Sequence, residues 1–310
     1  MSEPRMAWIA EDPASKAVEE LANKVADTST TLLVTGESGT GKDHLARLIH
    51  ELGPRRDAPF LKIDCASLPQ DLVESELFGH ERGAFTGAVE RKLGRLEMAQ
   101  GGTIVLDEVA ALSPATQAKL LRVLEERQFE RLGGTETITI AARLIALTNS
   151  DLARLVSEGQ FREDLFFRLS VLTISVPALR ARPADILPLA DALLERAARV
   201  HGRVGMAFAE PVRHMLKAYA WPGNVRELKN SIERALVFSN GPTLAPQDFP
   251  ESVQRADTGQ GVALRSLEDI ERDAIRATLE ATHYKIGKSA AILGISRKTL
   301  LDKRKRFDLN

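Results

Sequence analysis

The segment Gly36-Glu37-Ser38-Gly39-Thr40-Gly41-Lys42 follows the apolar Leu32-Leu33-Val34 and precedes a stretch with Leu45, Leu48, Ile49 and Leu52 at helical spacing. Strand, glycine-rich turn and helix in that order make a phosphate-binding loop. Glycines let backbone N–H groups turn inward, the helix N-terminus adds positive potential, and Lys42 reaches the outer phosphates. The bland alternative is a glycine-rich turn with a surface lysine, and the flanking strand and helix argue against it. Further runs suited to buried parallel strands recur at 31–35, 60–63, 103–106 and 143–148, with helical patterns between them. The predicted fold is a layered α/β domain around a parallel sheet.

Strand signals stop after 171–176. From 185 to about 238 the pattern is helical, broken at Pro222-Gly223, which predicts a smaller all-α domain leaning on the first. Residues 240–262 hold Pro242, Pro246, Pro250, Gly241, Gly259 and Gly261 among polar residues, as linkers do. Beyond them Leu264, Leu267, Ile270, Ala274 and Ala277 share one helical face, fit to pack a last small domain or to pair two copies of it. The expected boundaries are 1–176 for the nucleotide-binding domain, 177–240 for the helical domain, 241–263 for the linker and 264–310 for the last unit.

A lone cysteine, Cys65, excludes an intrachain disulfide or a multi-cysteine zinc site and suits a reducing compartment. No run approaches the roughly 18 apolar residues of a membrane span, and the N-terminus lacks signal-peptide character. The expectation is a cytoplasmic protein that does not meet a membrane.

Asp107-Glu108 ends the apolar Ile104-Val105-Leu106. There a first carboxylate can hold Mg2+, and a second can polarise a water for attack on a terminal phosphate. Asp43 stands where such loops usually carry a Ser or Thr hydroxyl; a carboxylate also suits a hard cation, with altered geometry. Arg162 and Arg168 are either salt-bridged surface residues or arginines that enter a neighbouring subunit's nucleotide site, which requires an oligomer.

Gly83-Ala84-Phe85-Thr86-Gly87-Ala88, preceded by Glu76-Leu77-Phe78-Gly79-His80-Glu81, resembles the GAFTGA loop of the bacterial enhancer-binding proteins, the AAA+ activators of sigma-54 RNA polymerase. Flanking glycines allow a mobile tip, and Phe85 offers a partner an apolar side chain; a phenylalanine folded back into its own core is the alternative. The resemblance runs from about residue 8 to 240 and resumes in the last thirty residues. It implies that Gly36 to Lys42 and Asp43 bind ATP with Mg2+, that Asp107 and Glu108 form the second nucleotide motif, and that Asn149 is the first sensor. It also implies that Arg162 and Arg168 are trans-acting fingers, that Arg226, in Trp221-Pro222-Gly223-Asn224-Val225-Arg226, is the second sensor, and that residues 83–88 touch sigma-54.

Two positions depart from the family. Glu is common where this chain has Asp43, and an asparagine that restrains the catalytic glutamate is common where it has Asp64. Two carboxylates hydrogen-bond only if one is protonated, so the expectation is that Asp64 restrains Glu108 weakly or through a shared proton.

Lys and Arg number 42 against 43 Asp and Glu, a net charge of −1 that offers no whole-chain case for nucleic acid. From 281 to 310, however, eight basic residues face two acidic ones, a balance of +6 that leaves −7 on the rest. This tail contains Ala290-Ala291-Ile292-Leu293-Gly294-Ile295-Ser296-Arg297-Lys298-Thr299-Leu300, which resembles a Fis-type helix-turn-helix. Ser296 would cap the recognition helix, Arg297, Lys298 and Thr299 would meet base edges, and the run Lys303, Arg304, Lys305 and Arg306 would lie nearer phosphates, with Lys288 also among the DNA-binding residues.

The resemblance therefore implies an ATPase that binds upstream double-stranded DNA and remodels the closed sigma-54 polymerase complex, as a homo-hexamer or a ring mixed with a paralogue. The competing readings are an AAA+ protein-remodelling ATPase and a DNA-binding regulator uncoupled from sigma-54. Only a few residues precede the matched region, which leads to the expectation of control in trans by a regulatory protein or by expression level.

Overall fold

The computed structural model describes residues 8–255, 267–282 and 284–307, in two compact units divided after Gln254. The first unit opens with α1 (Pro13–Ala26), whose cap, Asp12, accepts from the Ala14 N–H. β1 (Leu32–Thr35) leads through the glycine-rich loop into α2 (Lys42–Leu52). Next come β2 (Phe60–Asp64), α3 (Gln70–Phe78), the short antiparallel pair β3 (Gly79–His80) and β4 (Lys92–Leu93), α4 (Arg95–Met98) and β5 (Thr103–Asp107). α5 (Pro114–Glu126) starts where Ser113-Pro114 predicts, the Ser113 hydroxyl accepting from the Thr116 N–H. A hairpin of β6 (Gln128–Glu130) and β7 (Thr137–Thr139) precedes β8 (Arg143–Thr148), α6 (Leu152–Ser157), α7 (Glu163–Leu169) and β9 (Leu172–Ser175).

Five strands form one parallel sheet in the order β2-β5-β8-β1-β9. Their near-continuous apolar runs sort by the two-residue period of a strand. Leu32, Val34, Val105, Ile145 and Leu147 pack with α1 and α2 on one face, whereas Leu33, Ile104, Leu106, Leu144 and Ala146 pack with α3, α5 and α7 on the other. Truncating one of these buried leucines or isoleucines to alanine costs about 2–5 kcal/mol. The carboxyl ends of β1, β5 and β8 open on a common crevice, where ligands of parallel α/β sheets bind.

The helical part contains α8 (Ile186–Val200), β10 (Ala207–Phe208), α9 (Glu210–Ala218), α10 (Asn224–Phe238), β11 (Thr243–Leu244) and α11 (Glu251–Gln254). It differs from the sequence reading in three ways. The helical stretch from 185 to 238 breaks a second time, between α8 and α9, where Gly202 and Gly205 take positive φ. Strand pairing resumes briefly, β10 lying parallel to β11. The expected linker at 241–263 is in its first half part of the helical core: Leu244, Phe249 and Val253 are buried against Trp221, Leu228 and Ile232. Spaced prolines disguised that stretch, because three of its apolar side chains suffice to anchor it. Residues 256–263 of the expected linker lie outside the described residues.

The second unit comprises α12 (Leu267–Ala281), α13 (Ile286–Leu293) and α14 (Arg297–Arg306). Its core is Ile275, Leu279, Ala290 and Leu300. Leu264 lies outside the described residues, as do the side chains of Leu267 and Ile270; Ala274 and Ala277 are exposed. The packed face of α12 is thus displaced from the one read in the sequence, because the larger Ile275 and Leu279 fill the space against α13 and α14. Gly294 closes α13 in the left-handed conformation, and Ser296 caps α14 by accepting from the Thr299 N–H.

Candidate nucleotide site and nucleic-acid interface

Gly36, Gly39 and Gly41 all take positive φ, so the loop after β1 turns back on itself as only glycine does without strain. Lys42, the first residue of α2, curls over this loop and donates to the carbonyls of Gly36 (2.8 Å) and Glu37 (3.1 Å). Burial lowers its pKa, and the nearby Glu108, Asp107 and Asp43 offset part of that. Arg182, 2% exposed, donates to the Thr40 carbonyl (2.6 Å) and braces the loop from behind.

The helical part closes on this loop through its backbone. The Val225 N–H donates to the Gly39 carbonyl (3.0 Å), and a methyl group on Gly39 would stand 2.6 Å from the Gly223 carbonyl oxygen. Arg226 donates to the Ser38 hydroxyl (2.7 Å). The Asn224 amide donates to Glu37 (3.1 Å) and to the Ser38 carbonyl (3.0 Å) while its oxygen accepts from the Leu179 N–H (2.8 Å). Arg180 also grips the Glu37 carboxylate, and this pairing with Arg180, aided by Asn224, holds the Glu37 pKa down at about 2. Arg180 and Arg182 carry no signal in the sequence, where they look like ordinary surface charges, and Asn224 enters there only as part of the motif around Arg226.

Asp107 and Glu108 stand at the end of β5. Glu108 adopts a left-handed backbone (φ 52°), a conformation that costs a β-carbon residue about 1–2 kcal/mol and clusters at functional sites. Its carboxylate accepts from the Asn149 N–H (3.1 Å) at the end of β8. Asp64 does not reach Glu108; its Oδ1 accepts from the N–H groups of Ala66 (3.0 Å) and Ser67 (3.1 Å). Of the two arrangements expected from the sequence, the shared proton is not made, because Asp64 Oδ1 turns its own chain; weak restraint of Glu108 by Asp64 is the one that agrees with this geometry. Cys65 beside it is buried, and that burial, with Asp64, Asp107 and Glu108 nearby, pushes its thiol up to about 12.

Lys62 is a further residue with no signal in the sequence. Its ammonium lies between Asp43 Oδ1 (2.5 Å) and Asp107 Oδ2 (2.7 Å). Burial pulls its pKa down, but Asp107 and Asp43 outweigh that and the net direction is upward. These two carboxylates converge on a single positive charge, so the donor set fits Mg2+: hard anionic oxygens aimed at one point beside the phosphate loop. Ser38, Gly39, Lys42, Asp107, Glu108 and Arg226 line one cavity of about 620 Å³. Arg162 and Arg168 are not among its lining residues. Arg162 makes a bidentate pair with Asp164, and Arg168 donates to the Leu124 carbonyl (3.4 Å).

The loop at 83–88 rises from the β3–β4 pair and closes on itself, the Gly83 N–H donating to the Ala88 carbonyl (2.8 Å). Gly83 and Gly87 have positive φ and open space around them. Phe85 is 42% exposed, its ring edge against His80 (5.0 Å), so it neither enters the core nor stands free. Beneath it, buried Arg131 joins Glu97, Glu81 and Glu136, tying the loop's stem to the β6–β7 hairpin.

In the second unit, taken by itself, Lys288, Ser296, Arg297, Lys298 and Lys305 are exposed on α13 and α14. Thr299 is half-buried at the capping turn, Lys303 pairs with Glu271 (2.7 Å), and the Arg304 guanidinium lies over Tyr284 (5.7 Å). The cationic face is real, but two of its members are also tied to the fold.

Three family models match in series: a sigma-54 interaction domain over residues 8–175, an AAA+ ATPase lid domain over 180–265, and a bacterial regulatory domain of the Fis family over 266–307. Among curated relatives, the transcriptional regulatory protein ZraR of Klebsiella oxytoca is 43% identical over 302 residues, covering 96% of this chain and 68% of that protein. The nitrogen fixation protein VnfA of Azotobacter vinelandii is 45% identical over 299 residues, covering 94% of this chain and 57% of that one. A crystal structure of NtrX from Brucella abortus in complex with ATP superposes with a TM-score of 0.76 at 33% identity, covering 98% of this chain and 69% of that one. Among the described residues no helix is long and apolar enough to cross a membrane.

Proposed function

Since the chain belongs to the sigma-54-dependent transcriptional activators, we propose that it hydrolyses ATP with Mg2+ in a ring of subunits and uses the cycle to remodel sigma-54 RNA polymerase from a DNA site upstream. The observation that carries this reading is the convergence of Lys42, Asp107, Glu108 and Arg226 on one cavity. Lys42 and the loop N–H groups hold the phosphates. Mg2+ on Asp107 and Asp43 would supply charge neutralisation at the outer phosphates. Glu108 receives the proton of the attacking water once it leaves Asn149. Arg226, held on the Ser38 hydroxyl of the phosphate loop, senses the terminal phosphate from the helical side.

Arg162 and Arg168 lie apart from their own cavity, as fingers that serve a neighbour do, and a hexamer satisfies them. The Phe85 loop delivers the motion to sigma-54, and the hairpin tied through Arg131 steadies it. Lys288, Arg297, Lys298, Lys303, Arg304 and Lys305 hold the DNA, with Ser296 and Thr299 shaping the helix start. Work on polymerase places the acting protein in the cytoplasm.

Phosphate release measured against protein concentration tests the reading. Turnover per subunit is expected to rise on self-association and to fall by about a thousandfold in Arg162→Ala, the scale of an arginine finger. ADP with a metal fluoride is expected to trap the chain on sigma-54, and Phe85→Ala to abolish the trapped complex. Turnover independent of concentration, or trapping that survives Phe85→Ala, overturns it.

A further inference from the structure

The cation that α2 and β2 build into the site is a lysine. α2 runs antiparallel to β2, and four residues of helix climb nearly as far as two residues of strand, about 6 Å against about 6.6 Å. The two elements therefore meet in register: Arg47 stacks over Phe60 (4.0 Å), and one turn earlier Asp43 meets Lys62. Strand alternation puts Phe60 and Lys62 on the same face. Pairing of Asp64 with Asp107 in the sheet then brings Lys62 within 2.7 Å of the Asp107 carboxylate.

We propose that Lys62 is a resident occupant of the divalent-cation position, holding Asp43 and Asp107 together before nucleotide arrives and giving way when a divalent metal binds with it. This rests on the reading of Asp43 and Asp107 as the metal pair. Asp107 Oδ1 accepts from the Glu108 N–H (3.1 Å), so Oδ2 is the oxygen left to a metal, and Lys62 holds it. Lys42 does not take this role, since its ammonium is spent on the Gly36 and Glu37 carbonyls. The Lys62 side chain is 36% exposed and on a flexible stem, free to swing out. Metal affinity is then the outcome of a competition that most of its strength must overcome, and Lys62 acts as a positioning residue for both carboxylates.

Binding of Mn2+ in the presence of ADP, followed by the paramagnetic resonance of free Mn2+ with the full chain, tests this. Lys62→Met is expected to bind Mn2+ about tenfold more tightly than the wild-type chain, the factor that 1.4 kcal/mol of relieved competition gives. Lys62→Arg, which keeps a cation between the carboxylates, is expected to stay near wild type. Equal or weaker Mn2+ binding by Lys62→Met overturns the proposal. No Mn2+ binding by any form, including wild type, instead overturns the metal-pair reading beneath it. Thermal melting covers a poorly folded variant: Lys62→Met is expected to be destabilised in chelator and restored by Mn2+ without nucleotide. Destabilisation that Mn2+ does not restore also overturns the proposal, since the lysine would then be structural.

Discussion

The Glu108 carboxylate accepts from the Asn149 backbone N–H at 3.1 Å, so the acid at the end of β5 is held by the main chain of the next strand. Short of proline, no substitution at Asn149 removes that donor. Glu108→Gln is expected to lower ATP hydrolysis by at least about a hundredfold, the lower range of a lost general base, with nucleotide affinity nearly unchanged. Asn149→Ala is expected to keep Glu108 parked. Phosphate release and a fluorescent-ADP titration on the same preparations check both.

Asp64 predicts a different outcome from the one its family position implies. Asn at 64 presents the same Oδ1 to Ala66 and Ser67, so Asp64→Asn is expected to leave both stability and the pH profile of hydrolysis unchanged. Asp64→Ala loses the two bonds and is expected to cost about 1 kcal/mol in urea unfolding.

The Glu37 latch gives a pH signature. Its carboxyl titrates at about 2 in the fold, against an ordinary 4.5, because Arg180 and Asn224 bind the anion. Between those values the unfolded chain binds the extra proton, so the stabilisation is complete above about 4.5 and is lost as pH falls toward about 2. The gap in denaturation midpoint between wild type and Glu37→Gln is expected to close across that window. Added salt should narrow it as well, because the pair is solvent-exposed.

Arg131 is 4% exposed and neutralises three glutamates from separate segments. Arg131→Met is expected to destabilise the chain by about 1–2 kcal/mol, the scale of lost charge-assisted hydrogen bonds, since the three glutamates keep contact with water. Hydrogen exchange should localise the loosening to the β3–β4 stem and the β6–β7 hairpin.

What could be read in the sequence was what has a period or a motif. The five strands and the start of α5 followed from apolar runs and a Ser-Pro cap, and the phosphate loop from its glycines. What could not be read was set by tertiary register. Lys62 looks like any outward strand lysine until α2 is laid antiparallel across β2. Asp64 carries a family role in one dimension and a turn in three. Phe249 and Val253 are hidden by prolines whose neighbours look solvated, and the buried face of α12 is decided by the size of the side chains its partners accept.

Gly39 has a mechanical consequence. With no side chain to cushion it, the glycine loop touches the start of α10 backbone to backbone. α10 is 15 residues long, about 22 Å at 1.5 Å per residue. A rocking of only about 5° at that pivot sweeps the Phe238 end through about 2 Å. The contact is a fulcrum with a long arm: a shift too small to alter a hydrogen bond at the glycine loop becomes, at the far end, a displacement of about half the width of a methyl group. A bulkier residue at 39 would not merely weaken binding; it would change the gear ratio.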